Sequence, residues 1–142
     1  MRPNLQFPQA FRQVRMRRGL LQKTVALELG LDTGVLCGIE KGVRGPLDSE
    51  VLTRAAQLFQ FTDDEMAQLR WSAHHDRLIG LLVQRGATKE EVELISASLH
   101  AWHYLGSDQR TGLLANVRRI GESAQLVSAL AKPQDVMEVA MT

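Results

Sequence analysis

Three observations predict an all-α fold for this chain, a bundle of short helices followed by a C-terminal three-helix extension. Apolar residues recur at spacings of three and four along most of its length, the period of one face of a helix. Two Thr-x-x-Glu boxes, Thr62–Glu65 and Thr88–Glu91, mark helix N-termini, because the threonine oxygen and the glutamate carboxylate satisfy backbone N–H groups reciprocally. β-branched residues nowhere alternate over a useful length and no hairpin signal appears, so no strand is expected.

Residues 1–8 hold Pro3 and Pro8 and read as an arm. A basic amphipathic first helix follows, with Phe11, Val14 and Met16 apolar, Arg15, Arg17 and Arg18 charged, and Gly19 closing it. The stretch 22–40 organises the rest. Val25, Ala26 and Leu29 share one face of a second helix, Gly30 supplies the left-handed residue that ends it, and Leu31 follows as a buried plug. Asp32 caps a third helix, worth about 1 kcal/mol, and Val35, Leu36 and Ile39 form its apolar stripe. A basic, glycine-rich loop at 41–46 leads to a fourth helix with apolar residues at 51, 52, 55, 58 and 59.

The first threonine box opens a fifth helix running to about Arg85, with Met66, Leu69, Ala73, Leu78 and Leu82 inward and Gly86 as its stop. The second box opens a sixth helix that turns Val92, Ile95, Leu99 and Trp102 inward and ends at Gly106. Ser107 or Asp108 caps the last, long helix. There Leu113, Val117, Ile120, Ala124, Val127 and Ala131 repeat at 4-3-4-3-4, a heptad seam, and Lys132-Pro133 ends it.

At 142 residues the chain suits one domain, or a small domain with a dimerisation appendage, and 44% hydrophobic residues are enough for a core. No apolar run approaches the length of a membrane span and no secretory apolar core opens the chain, so a cytoplasmic location is expected. The single cysteine, Cys37, excludes an intramolecular disulfide and a thiolate zinc cage. Charge is uneven. Residues 1–62 hold nine Lys/Arg against five Asp/Glu, a net +4, and the remainder eight against eleven, a net −3. A basic head on an acidic body suits a polyanion-binding part joined to a part with another task.

Two helices joined by a tight glycine turn are a helix-turn-helix, whose second helix normally enters the DNA major groove. The chain resembles the Cro/XRE family of helix-turn-helix regulators, the phage-repressor type, over about residues 8–66. The matching residues are Phe11-x-x-Val14-Arg15, Gly19-Leu20-x-Gln22, Val25-Ala26-x-x-Leu29-Gly30, Ile39-Glu40-x-Gly42-x-Arg44-x-Pro46 and Leu52-x-x-Ala55. The resemblance implies a repressor-like helical bundle at 1–62 that binds double-stranded DNA. It leaves 63–142 as a helical dimerisation or regulatory region that family members of minimal length lack. On the family pattern Gln22 contacts the backbone with its amide while the helix N-terminus adds partial positive charge. Lys23 stands beside it, and Lys41 and Arg44 reach phosphates across the groove. Arg17 and Arg18 are further backbone candidates.

The recognition helix departs from the pattern. Its base-facing positions, Thr33, Gly34, Val35 and Cys37, with Gly38 behind them, offer a hydroxyl, two glycines, a thiol and an apolar side chain. Arg, Gln, Asn or Lys is the usual base reader. Glycine here permits either a close approach to the groove floor, or readout through DNA shape, or a head that has exchanged DNA for a protein. The expected function is therefore a sequence-specific regulator, a repressor binding its operator as a homodimer through Leu113, Val117, Ile120, Ala124 and Val127. The alternative is a protein-interaction module, an antitoxin or adaptor. A third reading is an effector-sensing regulator with a ligand beside Trp102 and the histidines.

Cys37 fits a redox switch less well than a plain small side chain, since it is mid-helix. His74-His75 and His100-x-x-His103 fit aromatic packing better than metal ligation. No nucleophile elbow, phosphate loop or metal motif is present, so neither catalysis nor a cofactor is expected.

Overall fold

The computed structural model describes residues 5–131, and among them every regular element is a helix. In order these are α1 (Phe7–Arg17), α2 (Gln22–Leu29), α3 (Thr33–Glu40), α4 (Ser49–Phe59), α5 (Asp63–Gln84), α6 (Lys89–Tyr104) and α7 (Ser107–Leu130). The expected stop at Lys132-Pro133 lies outside the described residues. The chain divides within α6 into a unit ending at Leu99 and a unit beginning at His100. Among the described residues no helix is long and apolar enough to cross a membrane.

In the first unit α1 packs on α5 and α3, and α2 packs on α3 and α4. The core is one cluster: Phe7, Phe11 and Val14 from α1, Val25, Ala26 and Leu29 from α2, Leu36 and Ile39 from α3, then Leu47, Leu52 and Ala55, and Met66, Leu69 and Ala73 from α5. Phe7 and Phe11 stack with ring centroids 5.6 Å apart. Full burial of one such side chain contributes about 1.5–3 kcal/mol, so the helices hold each other by their inner faces. The sequence reading divides the chain at 62/63. In the structure α5 contributes to the same core, and the first unit continues to Leu99.

The α2–α3 junction closes as the glycine requires. Gly30 has φ +68°, Leu31 N–H donates to Ala26 O at 2.8 Å and Gly30 N–H to Leu27 O at 3.2 Å. This paired capping motif satisfies carbonyls that the end of a helix leaves open. Leu31 packs half-buried against the core. Asp32 caps α3 by accepting the Gly34 N–H at 3.0 Å.

Some expectations are corrected. The arm is shorter than residues 1–8, because Phe7 opens α1 and is fully buried, while Pro8 sits in the first turn, where a missing N–H costs nothing. Met16 and Leu58 face solvent, since each lies on the flank of its helix away from the cluster. Ile79 and Leu47 are buried instead. In the second unit Trp102 is 40% exposed, with the Arg110 guanidinium 5.1 Å over its ring and Arg110 Nε donating to its carbonyl at 2.9 Å. The N-cap of α7 is Gly106, one residue before Ser107 and two before Asp108, the expected caps, and its N–H donates to Gln109 Oε1 at 3.0 Å. α7 is the longest helix described, about 36 Å at 1.5 Å per residue, and it buries no residue.

Candidate nucleic-acid interface

The surface formed by α2, α3 and the 41–46 loop is positioned from behind by one ion pair and by arginine hydrogen bonds to backbone carbonyls. Arg15 Nε and Nη2 donate to the two Glu40 carboxylate oxygens, each at 2.8 Å, and Nη1 donates to Leu20 O at 2.7 Å. One nearly buried guanidinium thereby joins the end of α1, the turn before α2 and the end of α3. A forked pair of this kind fixes an angle as well as a distance. Arg54 Nη2 closes the back of α2 by donating to Leu29 O at 2.7 Å.

Of the predicted contact residues, Gln22 begins α2 and is half-buried, and Lys23 beside it is exposed. The α2 N-cap, Leu21, makes no side-chain cap hydrogen bond. On α3, Thr33 and Gly34 are exposed and Val35 and Cys37 half-buried, with Leu36 and Ile39 turned into the core. Lys41 and Arg44 are exposed. Among the described residues the structure therefore brings Gln22, Lys23, Thr33, Gly34, Cys37, Lys41 and Arg44 onto the helix pair and its following loop.

Arg18 has a different task from the one expected. It donates to Glu65 Oε1 at 2.5 Å and to Gln60 O at 2.8 Å, and its guanidinium lies 5.4 Å over the Phe61 ring. Arg17 also pairs with Glu65, at 3.2 Å, but remains 62% exposed. Glu65 caps α5 as well, accepting the Thr62 N–H at 2.9 Å. That backbone bond, with Arg18, the Thr62 hydroxyl and Arg17, holds its carboxyl below the usual glutamate range against the opposing effect of burial.

The sequence reading overlooked Arg12. It lines an open groove of about 760 Å³ with Leu5, Pro8, Gln9, Glu40, Lys41, Gly42 and Val43. Its signal was its place on the outer flank of α1, opposite Phe7, Phe11 and Val14. With Arg15, Arg18 and Arg54 engaged internally and Arg17 paired with Glu65 at the surface, the side chains of Arg12, Lys23, Lys41 and Arg44 carry no hydrogen bond or ion pair among the described residues, and all four are exposed. In the groove, Arg12 and Lys41 stand without an internal partner, while Glu40 beside them is held by Arg15.

A second missed constellation lies on α5. His75 is fully buried, with Nδ1 2.8 Å from Asp76 Oδ1 and Nε2 2.9 Å from Ser96 Oγ. Asp76 also accepts the Gln6 N–H at 2.8 Å and the Phe7 N–H at 2.9 Å. A carboxylate some 70 residues away thus caps α1, and the imidazole ties α5 to α6. The line Ser96–His75–Asp76 has the order of a hydrolytic triad, but its hydroxyl is enclosed at 3% exposure, and its work in this fold is cross-linking. Among the described residues no three His, Cys, Asp or Glu side chains are grouped to hold a metal ion.

No family model matches the chain, and no curated protein or solved structure is significantly similar to it.

Proposed function

We propose that this protein is a sequence-specific DNA-binding transcriptional regulator of the Cro/XRE type, a cytoplasmic repressor that occupies its operator as a homodimer. The observation that carries the reading is the set of exposed cations without side-chain partners on α1, α2 and the loop after α3. Arg12, Lys23, Lys41 and Arg44 lie exposed around a helix pair whose angle is held by the Arg15–Glu40 fork, while other cations of the head are engaged in its interior. Gln22 opens α2, whose first N–H groups have no side-chain cap, the end of a helix dipole suited to a phosphate.

The homodimer is supported by α7. Its seam, Leu113, Val117, Ile120, Ala124 and Val127, is half-buried at the first residue and exposed from Val117 onward, with Ile120 at 69%. The positions flanking the seam, 114, 116, 121, 123, 128 and 130, carry Leu, Asn, Gly, Ser, Ser and Leu, so two copies meet without like-charge opposition. Arg118, Arg119 and Glu122 lie on the outer side. A lone helix of this length containing Gly112 and Gly121 is marginal in water, and burial of the seam on a second copy stabilises it. Dimerisation would hold two heads about one DNA turn apart, roughly 34 Å.

Fluorescence anisotropy against the duplex upstream of the protein's own gene and against a scrambled duplex, each across a salt series, tests the proposal. The expected result is a preference on the order of 10³-fold for the promoter, with affinity falling steeply as salt rises. Equal binding to both would leave a non-specific binder. The absence of base-reading side chains at Thr33, Gly34 and Cys37 favours one competing reading, a protein-interaction module. No DNA binding at low salt, together with stoichiometric capture of one partner protein, would establish it.

A further inference from the structure

We infer that Arg44 is the base reader of this head, a guanine reader in the major groove, and that Gly38 is the notch that lets it lie across α3. The inference rests on the DNA-binding reading above. A Cβ added at Gly38 would stand 3.0 Å from Arg44 Cδ, 3.1 Å from Cγ and 3.3 Å from Nε. The aliphatic stem of Arg44 therefore occupies the space that any other residue at 38 would fill. The backbone is laid on the same spot, for Gly38 O accepts the Val43 N–H at 2.9 Å and the Arg44 N–H at 3.1 Å.

The place matters. Gly38 follows the exposed Gly34 by one turn and adjoins Cys37, so the stem runs along the flank of the outward face of α3. That face has almost nothing of its own with which to read a base pair: Thr33 offers a hydroxyl, Gly34 no side chain and Cys37 a thiol. Arg44 differs from the internally engaged arginines, since Arg15, Arg18, Arg54 and Arg77 each place the guanidinium on a carboxylate or carbonyl, while the Arg44 head group has no hydrogen bond or ion pair among the described residues. A stem already held by packing loses less rotamer freedom on binding. The planar fork then matches guanine O6 and N7 with two parallel hydrogen bonds, a geometry that an ammonium does not reproduce. Base reading thereby passes from the recognition helix to a loop arginine pressed against it, and the helix keeps glycine where a side chain would displace that arginine.

The test begins by selecting preferred duplexes from a randomised pool with the wild-type protein. The selected duplex and its scrambled counterpart are then compared by anisotropy across a salt series for wild type, Arg44→Lys, Arg44→Ala and Gly38→Ala. Arg44→Lys keeps the charge, so scrambled-duplex affinity should stay within about threefold, while the selected-to-scrambled ratio drops by roughly 10- to 100-fold. Repeating the selection with Arg44→Lys should relax one G·C position. Gly38→Ala, checked for native helicity by circular dichroism, should lower the same ratio and leave the salt slope unchanged. If both Arg44 variants weaken the two duplexes by one common factor, Arg44 is a phosphate contact and the inference is overturned. If Gly38→Ala leaves the ratio at its wild-type value, the notch is overturned. A wild-type protein that enriches no duplex overturns the DNA-binding reading itself, a failure visible before any variant is compared.

Discussion

The two shortest helices described each turn a face into the core, and the longest described buries no residue. α2 and α3 have eight residues each, below the length at which an isolated helix persists in water, yet Val25, Ala26, Leu29, Leu36 and Ile39 are all in the core. α7 has 24 residues and an unbroken heptad pattern, and none of its residues is buried. Helix length and local propensity therefore say little about what holds a segment in place here. The first unit is stabilised by faces that have found each other, and α7 presents a face whose counterpart is proposed to be a second copy.

Head stability in denaturant titrations, read as the unfolding free energy, separates the two regions, and a graded set of substitutions sharpens the contrast. The largest loss is expected for Phe11→Ala, which removes a fully buried ring stacked on Phe7 and should cost about 3–5 kcal/mol. Asp76→Asn comes next. The amide retains one acceptor oxygen, so one of the N–H groups of Gln6 and Phe7 loses its partner, and α1 loses its distant cap. The expected cost is about 1–3 kcal/mol, and hydrogen exchange should show protection lost first in α1.

Glu65→Gln follows, with an effect that depends on pH. The folded protein holds the Glu65 carboxyl below its ordinary value, so the ionised form is the one the fold binds. Its contribution is complete above the unfolded value and is lost as pH falls through the lowered folded one. The wild type should exceed Glu65→Gln in stability by about 1–2 kcal/mol at neutral pH, and the two should converge when titrated at strongly acidic pH.

The second capping box gives a smaller step. Glu91 accepts the Thr88 N–H at 2.9 Å, and this bond with the Thr88 hydroxyl lowers its carboxyl too, but no arginine joins it and the site is exposed. Thr88→Ala should therefore destabilise less than Thr62→Ala, measured side by side. The smallest effect on head stability belongs to Ile120→Asp, expected within about 0.5 kcal/mol because nothing buried is touched. Sedimentation equilibrium on the same variant should show the dimer lost. A head that unfolds with Ile120→Asp, or a protein that stays dimeric, would break the comparison.

Much of the fold was legible because its signals are local. Gly30, Asp32, the Thr62–Glu65 box and Gly86 act on backbone groups within five residues of themselves, and all four do in the structure what their types imply. The inner faces of α2 and α3 follow from the helical period alone. The candidate surface was legible in Gln22, Lys23, Lys41 and Arg44 through their order around the glycine turn, and in none of the residues that need a distant partner to define them. Met16 and Trp102 are apolar side chains that a periodicity count assigns inward, and among the described residues packing leaves them 58% and 40% exposed.

The amino-acid sequence by itself determined the all-helical class, the helix ends, the inner faces of the short helices and the charge-free heptad seam of α7, since each depends on residues within a turn or two of chain. Only the tertiary structure decided which cations remain available. Arg18 and Arg44 are alike in the sequence, each a basic residue beside a glycine. Long-range packing sets one against Glu65, 47 positions away, and lays the other across Gly38 with its charge unmatched. The capping of α1 by Asp76 was decided in the same way, because a carboxylate binds whichever N–H groups the fold brings within reach, and separation along the chain carries no information about that.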